Sequence, residues 1–158
     1  MGRSVPISDD SAEFLGFVSY RIMRLSVALS RHGSRTLRDG GGPSMMCWRV
    51  LCSLTATPTM TAEELCSELG EGGSAVSAAL HGMAVAGHVD RIKRDSAPTR
   101  FALSAEGKAL YERLLPTMRE RQERIMSGLG AAERLILIRA LTSIEANLAD
   151  RSAGEAAA

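Results

Sequence analysis

Between Thr61 and Gly107 the chain reads TAEELCSELGEGGSAVSAALHGMAVAGHVDRIKRDSAPTRFALSAEG, and two short helices open this segment. Thr61 and Glu64 have the spacing of a capping box, in which the hydroxyl and the carboxylate each accept a backbone N–H. They predict a short helix that ends at Gly70. Gly72-Gly73 predicts a tight turn, and Ser74 is expected to cap a second helix, about Ser74 to Val85, that Gly87 ends.

After Gly87 the apolar residues change from helical to alternating spacing. Val89 and Ile92 precede the polar segment Asp95–Thr99, and Phe101 and Leu103 follow it. Two short alternating runs around a polar turn are typical of a β-hairpin. Two helices, a tight turn and a hairpin in succession predict a winged helix-turn-helix, whose units are Thr61–Leu69, Gly70–Gly73, Ser74–Val85 and His88–Leu103. In such a motif the N-terminal residues of the second helix reach base edges in the DNA major groove.

The segments on either side are helical. Towards the N-terminus, one apolar face follows spacings of four, four, three and four, formed by Phe14, Val18, Ile22, Leu25 and Leu29. Ser8–Ser11 offers N-caps for this helix, and Gly33 is expected to be its C-cap. Gly40–Pro43 is the clearest break in the sequence. A second helix, about Ser44 to Thr55, is predicted to point Trp48, Leu51 and Leu54 inward.

Downstream of the hairpin, Ser104–Gly107 is expected to cap a long helix that runs to about Leu129 and is kinked at Pro116. A last helix, about Ala131 to Ala149, carries an apolar stripe of Leu137, Leu141, Ile144 and Leu148. The tail is expected to fray.

The long flanking helices have narrow apolar seams that bury too little surface alone, so we expect two copies to pair about a two-fold axis. Two recognition helices related in this way would read a pseudo-palindrome with half-sites about one DNA turn apart. The predicted fold is mainly α with a small β-hairpin. Its parts are an N-terminal dimerisation helix in 1–40, a winged helix-turn-helix lobe in 44–104, C-terminal dimerisation helices in 105–150 and a flexible tail in 151–158.

Over about residues 12–149 the chain resembles the MarR family of winged helix-turn-helix transcriptional regulators. The resemblance is carried by an ordered set of motifs: Trp48-Arg49-Val50-Leu51, Thr61-Ala62-Glu63-Glu64-Leu65 through Leu69-Gly70, Ser74-Ala75-Val76-Ser77, Gly87-His88-Val89-Asp90-Arg91 and Leu103-Ser104-Ala105-Glu106-Gly107. It implies an obligate homodimer, a DNA-binding lobe and a small-molecule pocket between that lobe and the dimerisation helices. Our hypothesis is that such a dimer represses by occluding a promoter and that a small-molecule ligand releases it.

The distribution of charge departs from that family. The 158 residues carry 19 Lys and Arg against 18 Asp and Glu, a formal net charge of +1. No Lys or Arg occurs from Val50 to Asp90, which includes the whole recognition helix. The wing, in contrast, carries Arg91, Lys93, Arg94 and Arg100. Because phosphate contacts dominate DNA affinity, we expect the electrostatic share of binding to come from the wing.

The predicted contacts to double-stranded DNA lie on the helix-turn-helix and the wing. They are Thr61, Ser74, Ala75, Ser77, Ala78, His81, Arg91, Lys93, Arg94, Thr99 and Arg100. Without Arg, the recognition helix cannot make a bidentate contact to guanine, whereas serines and His81 can donate single hydrogen bonds and alanines can meet thymine methyl groups. We therefore expect modest direct readout and a larger share from DNA shape. The alternative is a MarR-like dimer with weak or lost DNA binding that serves as a protein- or ligand-binding module.

A small anionic or aromatic effector is a further predicted partner. The candidate ligand residues are Arg49, Trp48 and Met46. An intramolecular salt bridge is an equally good interpretation of Arg49, and a core position is the more common one for Trp48 and for methionine.

Other chemistry finds little support in the sequence. The sequence has three cysteines and no CxxC pair. We interpret Cys47, Cys52 and Cys66 as small buried thiols, with a reactive cysteine as the minor alternative. The three histidines, His32, His81 and His88, lack helical metal-ligand spacing. No nucleotide-binding or hydrolase motif is present, so we expect no enzyme, no cofactor and no metal.

No apolar run is long enough for a membrane span, and residues 1–6 lack the apolar stretch of a secretory signal. We therefore expect a cytoplasmic protein without a membrane partner.

Overall fold

The computed structural model describes residues 17–155, with side chains described for residues 17–148. The predicted caps at Ser8–Ser11 and the apolar residue Phe14 lie outside this range. The described elements are α1 (Val18–Asp39), α2 (Met45–Ala56), β1 (Met60–Thr61), α3 (Ala62–Leu69), α4 (Gly73–Val85), β2 (Val89–Ile92), β3 (Arg100–Leu103), α5 (Ala105–Ile125) and α6 (Ala131–Glu155). A mostly helical chain with a small antiparallel sheet confirms the predicted fold class.

Helix α1 is longer than the sequence predicted, because it does not stop at Gly33. That glycine is buried inside the helix, and the expected C-cap there is wrong. Leu37, one turn further on, is 1% exposed and holds the last turn of α1 in the core. The helix ends at the predicted glycine break, where Gly41 has a φ of +64° and the Gly42 N–H donates to the Leu37 carbonyl at 2.7 Å.

Helix α2 lies at the centre of the core. The Ser44 hydroxyl caps it by accepting the Cys47 N–H at 3.2 Å. Trp48, Leu51 and Leu54 are buried, which confirms the inward face that the sequence predicted. The buried apolar side chains form one cluster: Leu37, Trp48, Val50, Leu51, Leu54, Met60, Leu65, Val76, Leu80, Met83, Val89, Phe101, Leu103, Leu110, Leu114 and Met118.

Helices α3 and α4 form the helix-turn-helix. Thr61 and Glu64 make the predicted capping box of α3, and Gly70 ends this helix in the left-handed conformation, with a φ of +62°. Helix α4 begins at Gly73, with Gly72 as a cap that makes no side-chain hydrogen bond. The predicted Ser74 cap is therefore wrong. The N-cap lies two residues earlier, at Gly72, so Ser74 falls inside the first turn of the helix.

Strands β2 and β3 form the predicted hairpin, in the antiparallel register Val89↔Leu103 to Ile92↔Arg100. The sequence did not indicate β1, which pairs with β3 through Met60↔Phe101 and Thr61↔Arg100. The sheet order is therefore β1-β3-β2. The extra strand joins the base of the wing to the start of α3.

A close contact between backbones connects the hairpin to α5. The Ser104 hydroxyl donates to the Gly87 carbonyl at 2.6 Å and accepts the Gly107 N–H at 3.0 Å. The Ser104 N–H donates to the His88 carbonyl at 3.2 Å. A Cβ on Gly107 would lie 2.0 Å from the His88 carbonyl oxygen, so only glycine fits at this position.

Two compact units divide the chain between Met118 and Arg119. In the second unit, α5 ends at Ile125, before the predicted Leu129, and α6 extends to Glu155, beyond the predicted Ala149. Within this unit the Arg134 guanidinium bonds to the Glu123 carboxylate at 2.8 Å. The stripe predicted on α6 is exposed, as are other apolar side chains of this helix: Leu135, Ile136, Leu137, Ile138, Leu141, Ile144 and Leu148.

Candidate nucleic-acid interface

The exposed face of α4 carries small and weakly polar side chains. The helix buries Val76, Leu80 and Met83 in the core. Its opposite face is exposed and includes five of the predicted DNA contacts: Ser74, Ala75, Ser77, Ala78 and His81. Along the whole of α4 the only side-chain hydrogen-bonding groups are the two serine hydroxyls and the imidazole. The helix can therefore donate or accept single hydrogen bonds and offer methyl groups, but it carries no charged side chain.

The cations lie beside this face, on the wing. Arg91, Lys93 and Arg94 are exposed. The Arg91 guanidinium lies 6.0 Å from the centre of the Phe101 ring, which is a cation–π contact between β2 and β3. Lys93 and Arg94 have no ion-pair partner among the side chains that the structure describes. The connecting turn is closed by a hydrogen bond from the Ala97 N–H to the Arg94 carbonyl at 3.2 Å.

Arg100, the fourth predicted basic contact, is half-buried and bonded to groups of the protein itself. Its guanidinium donates to the Thr59 hydroxyl at 3.1 Å and to the Thr59 carbonyl at 2.7 Å. It also bonds both oxygens of the Glu64 carboxylate, at 3.2 and 3.0 Å. Five donors in a fixed planar fork suit arginine to such multiple contacts. The predicted contacts Thr61 and Thr99 are also half-buried.

The Glu64 carboxylate joins two parts of the site. It accepts the Thr61 N–H at 2.8 Å, which caps α3, while it binds Arg100 of the wing. The Thr61 N–H is the largest cause that holds the pKa of this carboxyl below its usual value. Loss of hydration opposes it, and Arg100 lowers the pKa further through a hydrogen bond and its charge. The group therefore stays ionised at neutral pH and can serve both contacts at once.

Arg49 of α2 makes a comparable contact with the turn before α4. Its guanidinium contacts the Glu71 carboxylate at 2.5 Å and also donates to the Leu69 carbonyl. Leu69 is the last residue of α3, and Glu71 lies in the connection between α3 and α4. This is the intramolecular salt bridge that the sequence left open as the alternative to ligand binding.

The other predicted ligand residues lie in or against the core. Trp48 is buried and stacks on Tyr111, with ring centroids 5.4 Å apart and an interplanar angle of 10°. Met46 is half-buried and packs against the same cluster. A role for these two residues in effector binding remains a prediction.

A small pocket of about 150 Å³ opens between α4 and the wing. Its lining combines polar and apolar groups: Ala62, Ser77, Leu80, His81, Ala84, Arg91 and Phe101. The sequence did not predict this pocket, because the pocket depends on how the hairpin packs against α4. Arg91 and His81 give it cationic and hydrogen-bonding groups, and Phe101 gives it an aromatic wall.

The cysteines and histidines form no metal site in the described part of the chain. No group of three or more His, Cys, Asp or Glu side chains there could hold a metal ion. Cys47, Cys52 and Cys66 are half-buried free thiols. Burial raises the pKa of the Cys52 thiol to about 11, so this residue is almost entirely protonated at neutral pH.

Comparison with solved structures agrees with this geometry. A MarR-family transcriptional regulator from Silicibacter pomeroyi has a TM-score of 0.73 and 27% sequence identity, over 84% of this chain and 90% of that chain. Bordetella bronchiseptica BpsR has a TM-score of 0.71 at 17% identity, over 84% and 96% of the two chains. Wild-type MarR from E. coli in its apo form has a TM-score of 0.69 at 19% identity, over 81% and 96%.

The helix-turn-helix, the hairpin and the connection between them define a winged helix-turn-helix protein. Among proteins of this class, the chain has the MarR-family fold, which confirms the resemblance recognised in its sequence. A scan against protein-family models and a search of curated proteins gave no match. None of the helices between residues 17 and 155 is both long and apolar enough to cross a lipid bilayer.

Proposed function

We propose that the protein is a transcriptional regulator that binds double-stranded DNA as a homodimer, represses by occupying a pseudo-palindromic operator, and acts by binding rather than catalysis. The observation that carries this proposal is the exposed face of α4 beside a wing with three exposed cations, Arg91, Lys93 and Arg94. A helix of this kind fits the major groove, and adjacent cations can neutralise backbone phosphates. The structural likeness to MarR-family regulators supports the same function.

The proposed dimer would cover the apolar surface of the terminal helices. In α1 the exposed apolar side chains include Val18, Met23, Leu25 and Val27, and in α6 Ile136 is 67% exposed. Exposed apolar side chains of this kind, on each helix considered by itself, are typical of protein interfaces. We propose that a second copy of the chain packs on these helices, which would place two α4 helices about a two-fold axis.

We also propose that a small anionic or aromatic effector weakens DNA binding. The DNA binding of Bordetella bronchiseptica BpsR is regulated by 6-hydroxynicotinic acid, a small aromatic molecule. In the present chain the pocket between α4 and the wing offers Arg91, His81 and Phe101 to such a ligand. A ligand that binds one dimer geometry more tightly than another shifts the population towards it.

A specific observation favours the second candidate function, a protein- or ligand-binding module with weak or lost DNA binding. Helix α4 has no cation, and helix α3 before it carries Glu63, Glu64 and Glu68. Acidic side chains near the DNA face oppose binding to phosphates.

The experiment that separates the two candidates is fluorescence anisotropy with the purified protein across a salt series. The probes are a duplex from upstream of its own gene and a scrambled duplex of equal composition. Regulation predicts tight, salt-dependent binding that prefers the upstream duplex.

The matched variants are Arg94→Ala on the wing and Arg113→Ala at a position on α5 that is also exposed. If DNA binds at the wing, Arg94→Ala weakens binding to both duplexes and lowers the salt slope by about one for each phosphate that is no longer neutralised. Arg113→Ala should leave the slope unchanged. Weak, equal binding of both duplexes by the wild type would reject regulation and favour the module.

A further inference from the structure

Arg100 differs from the other basic residues of the wing in how it is bonded within the protein. Arg91, Lys93 and Arg94 are exposed, and Lys93 and Arg94 have no ion-pair partner among the described side chains. The Arg100 guanidinium makes four hydrogen bonds, to two acceptors on Thr59 and two on Glu64. An arginine with this many fixed bonds has few donors left for a phosphate.

The position of Arg100 in the sheet gives these bonds a mechanical consequence. It is the first residue of β3, where it pairs with Thr61 of β1 on one side and with Ile92 of β2 on the other. The loop of residues 93–99, which carries Lys93 and Arg94, begins and ends at this point. Bonds from Arg100 to Thr59 and Glu64 therefore fix the base of the wing to the start of α3.

The acceptor Glu64 belongs to the helix-turn-helix itself. Its carboxylate caps α3 through the Thr61 N–H at 2.8 Å while it binds Arg100 at 3.0 Å. The wing and the helix-turn-helix thus share one carboxylate. A change in this contact alters the orientation of the wing cations relative to α4.

We propose that Arg100 is a positioning residue for DNA binding, which acts through Glu64 and Thr59 to hold the wing and makes no phosphate contact of its own. This inference deepens the proposed function and rests on it. It replaces the direct DNA contact that the sequence predicted for Arg100. The wing would then bind phosphates through Arg91, Lys93 and Arg94 from an orientation set by the Arg100–Glu64 pair.

The substitution Glu64→Gln distinguishes the two roles by the sign of its effect. If Arg100 contacts phosphate, loss of the competing carboxylate frees its guanidinium and strengthens binding. If Arg100 positions the wing, loss of the ion pair weakens binding, by roughly three- to tenfold for a partly exposed pair present in both protomers. Glutamine at this position still caps α3, because its side-chain oxygen can accept the Thr61 N–H.

Glu63→Gln is the matched control. Glu63 is exposed, adjacent to Glu64 and on the same helix, so its substitution removes the same charge and leaves the Arg100 contacts intact. A general electrostatic effect on DNA binding would appear in both variants and with the same sign. Only the difference between them measures the effect of the Arg100–Glu64 contact.

Two further measurements complete the test, with the upstream duplex as the DNA probe. Arg100→Ala should weaken binding with an unchanged salt slope, whereas removal of a phosphate contact would lower the slope by about one per protomer. Trypsin should cleave after Lys93 or Arg94 faster in Glu64→Gln than in Glu63→Gln, because the wing base is released. The proteolysis needs no DNA, so it tests the hold on the wing separately from the proposed function.

Weaker binding and faster cleavage for Glu64→Gln than for Glu63→Gln would support the proposal. Tighter or equal binding, a reduced salt slope for Arg100→Ala, or equal cleavage rates would each overturn it. Absence of DNA binding by the wild type would reject the proposed function, and the positioning role with it, whatever the cleavage rates.

Discussion

Replacement of Gly107 by alanine tests the contact that joins the wing to α5. The added Cβ would lie 2.0 Å from the His88 carbonyl oxygen and 3.0 Å from its carbonyl carbon, whereas an ordinary contact is 3.4–4 Å. Both neighbouring atoms are backbone, so no side-chain rotation can relieve the overlap. The hairpin and α5 would have to separate by more than an ångström.

The cost follows from two contributions. Overpacking a well-packed site costs about 1–3 kcal/mol, and occasionally more. The separation also weakens the Ser104 hydrogen bonds to the Gly87 and His88 carbonyls, at 2.6 and 3.2 Å, each worth about 1 kcal/mol. We therefore expect Gly107→Ala to lower the free energy of unfolding by about 3–5 kcal/mol, a large fraction of the usual total of about 5–15 kcal/mol.

Urea unfolding and thermal melting followed by circular dichroism measure this change at one fixed protein concentration. At about 2–4 °C per kcal/mol for a chain of this length, Tm should fall by roughly 10 °C. Gly82→Ala is the matched control, because it makes the same chemical change inside α4, where a Cβ meets nothing within 4 Å. It should stabilise the protein by about 0.5–1 kcal/mol through helix propensity. A Gly107→Ala protein within about 1 kcal/mol of the wild type would refute the steric argument.

Four other predictions concern the core, the thiols, the carboxylate and the DNA. Leu51→Ala, at a fully buried site, should cost about 2–5 kcal/mol in urea unfolding, against a small effect of Val85→Ala at an exposed one. Cys52 should be the thiol slowest to react with iodoacetamide at pH 8, as measured by mass spectrometry, because its pKa is about 11. Because folding lowers the pKa of Glu64, its ionised carboxylate stabilises the fold at neutral pH, and this stabilisation is lost as the carboxylate is protonated. The Tm difference between the wild type and Glu64→Gln should therefore disappear well below pH 4.5. Replacement of thymine by uracil in the bound half-site should weaken binding if α4 reads methyl groups, whereas 7-deazaguanine should have little effect; the opposite pattern in anisotropy would contradict methyl readout.

The elements that the sequence predicted well have local signals. The capping box at Thr61 and Glu64, the glycine at Gly70 and the break at Gly40–Pro43 each act within one helical turn, and the structure has all three. The prediction at Gly33 was wrong because glycine is a common C-cap residue. The helix continues past it when a later residue is anchored in the core. Leu37 supplies that anchor, and its burial depends on distant parts of the chain.

The candidate site was less accessible to sequence reasoning, since its decisive contacts join distant positions. Strand β1 has two residues and pairs with β3 about 40 positions later, so no local period marks it. The contact of Arg100 with Glu64 spans 36 positions, and that of Arg49 with Glu71 spans 22. The sequence shows the positive charge of Arg100 but not its distant partner Glu64. For that reason Arg100 was expected to contact DNA.

The separation of uncharged α4 from the cationic wing also bears on how such a protein can diverge. Total affinity for nucleic acid would depend on a few consecutive codons around Lys93 and Arg94, whereas base preference would depend on Ser74–His81. A substitution in either segment could change one property and leave the other nearly intact. Through single mutations, one copy of a duplicated gene could therefore acquire new DNA target sites while its total affinity for DNA stays the same. Another copy could change its affinity for DNA while its target sites stay the same.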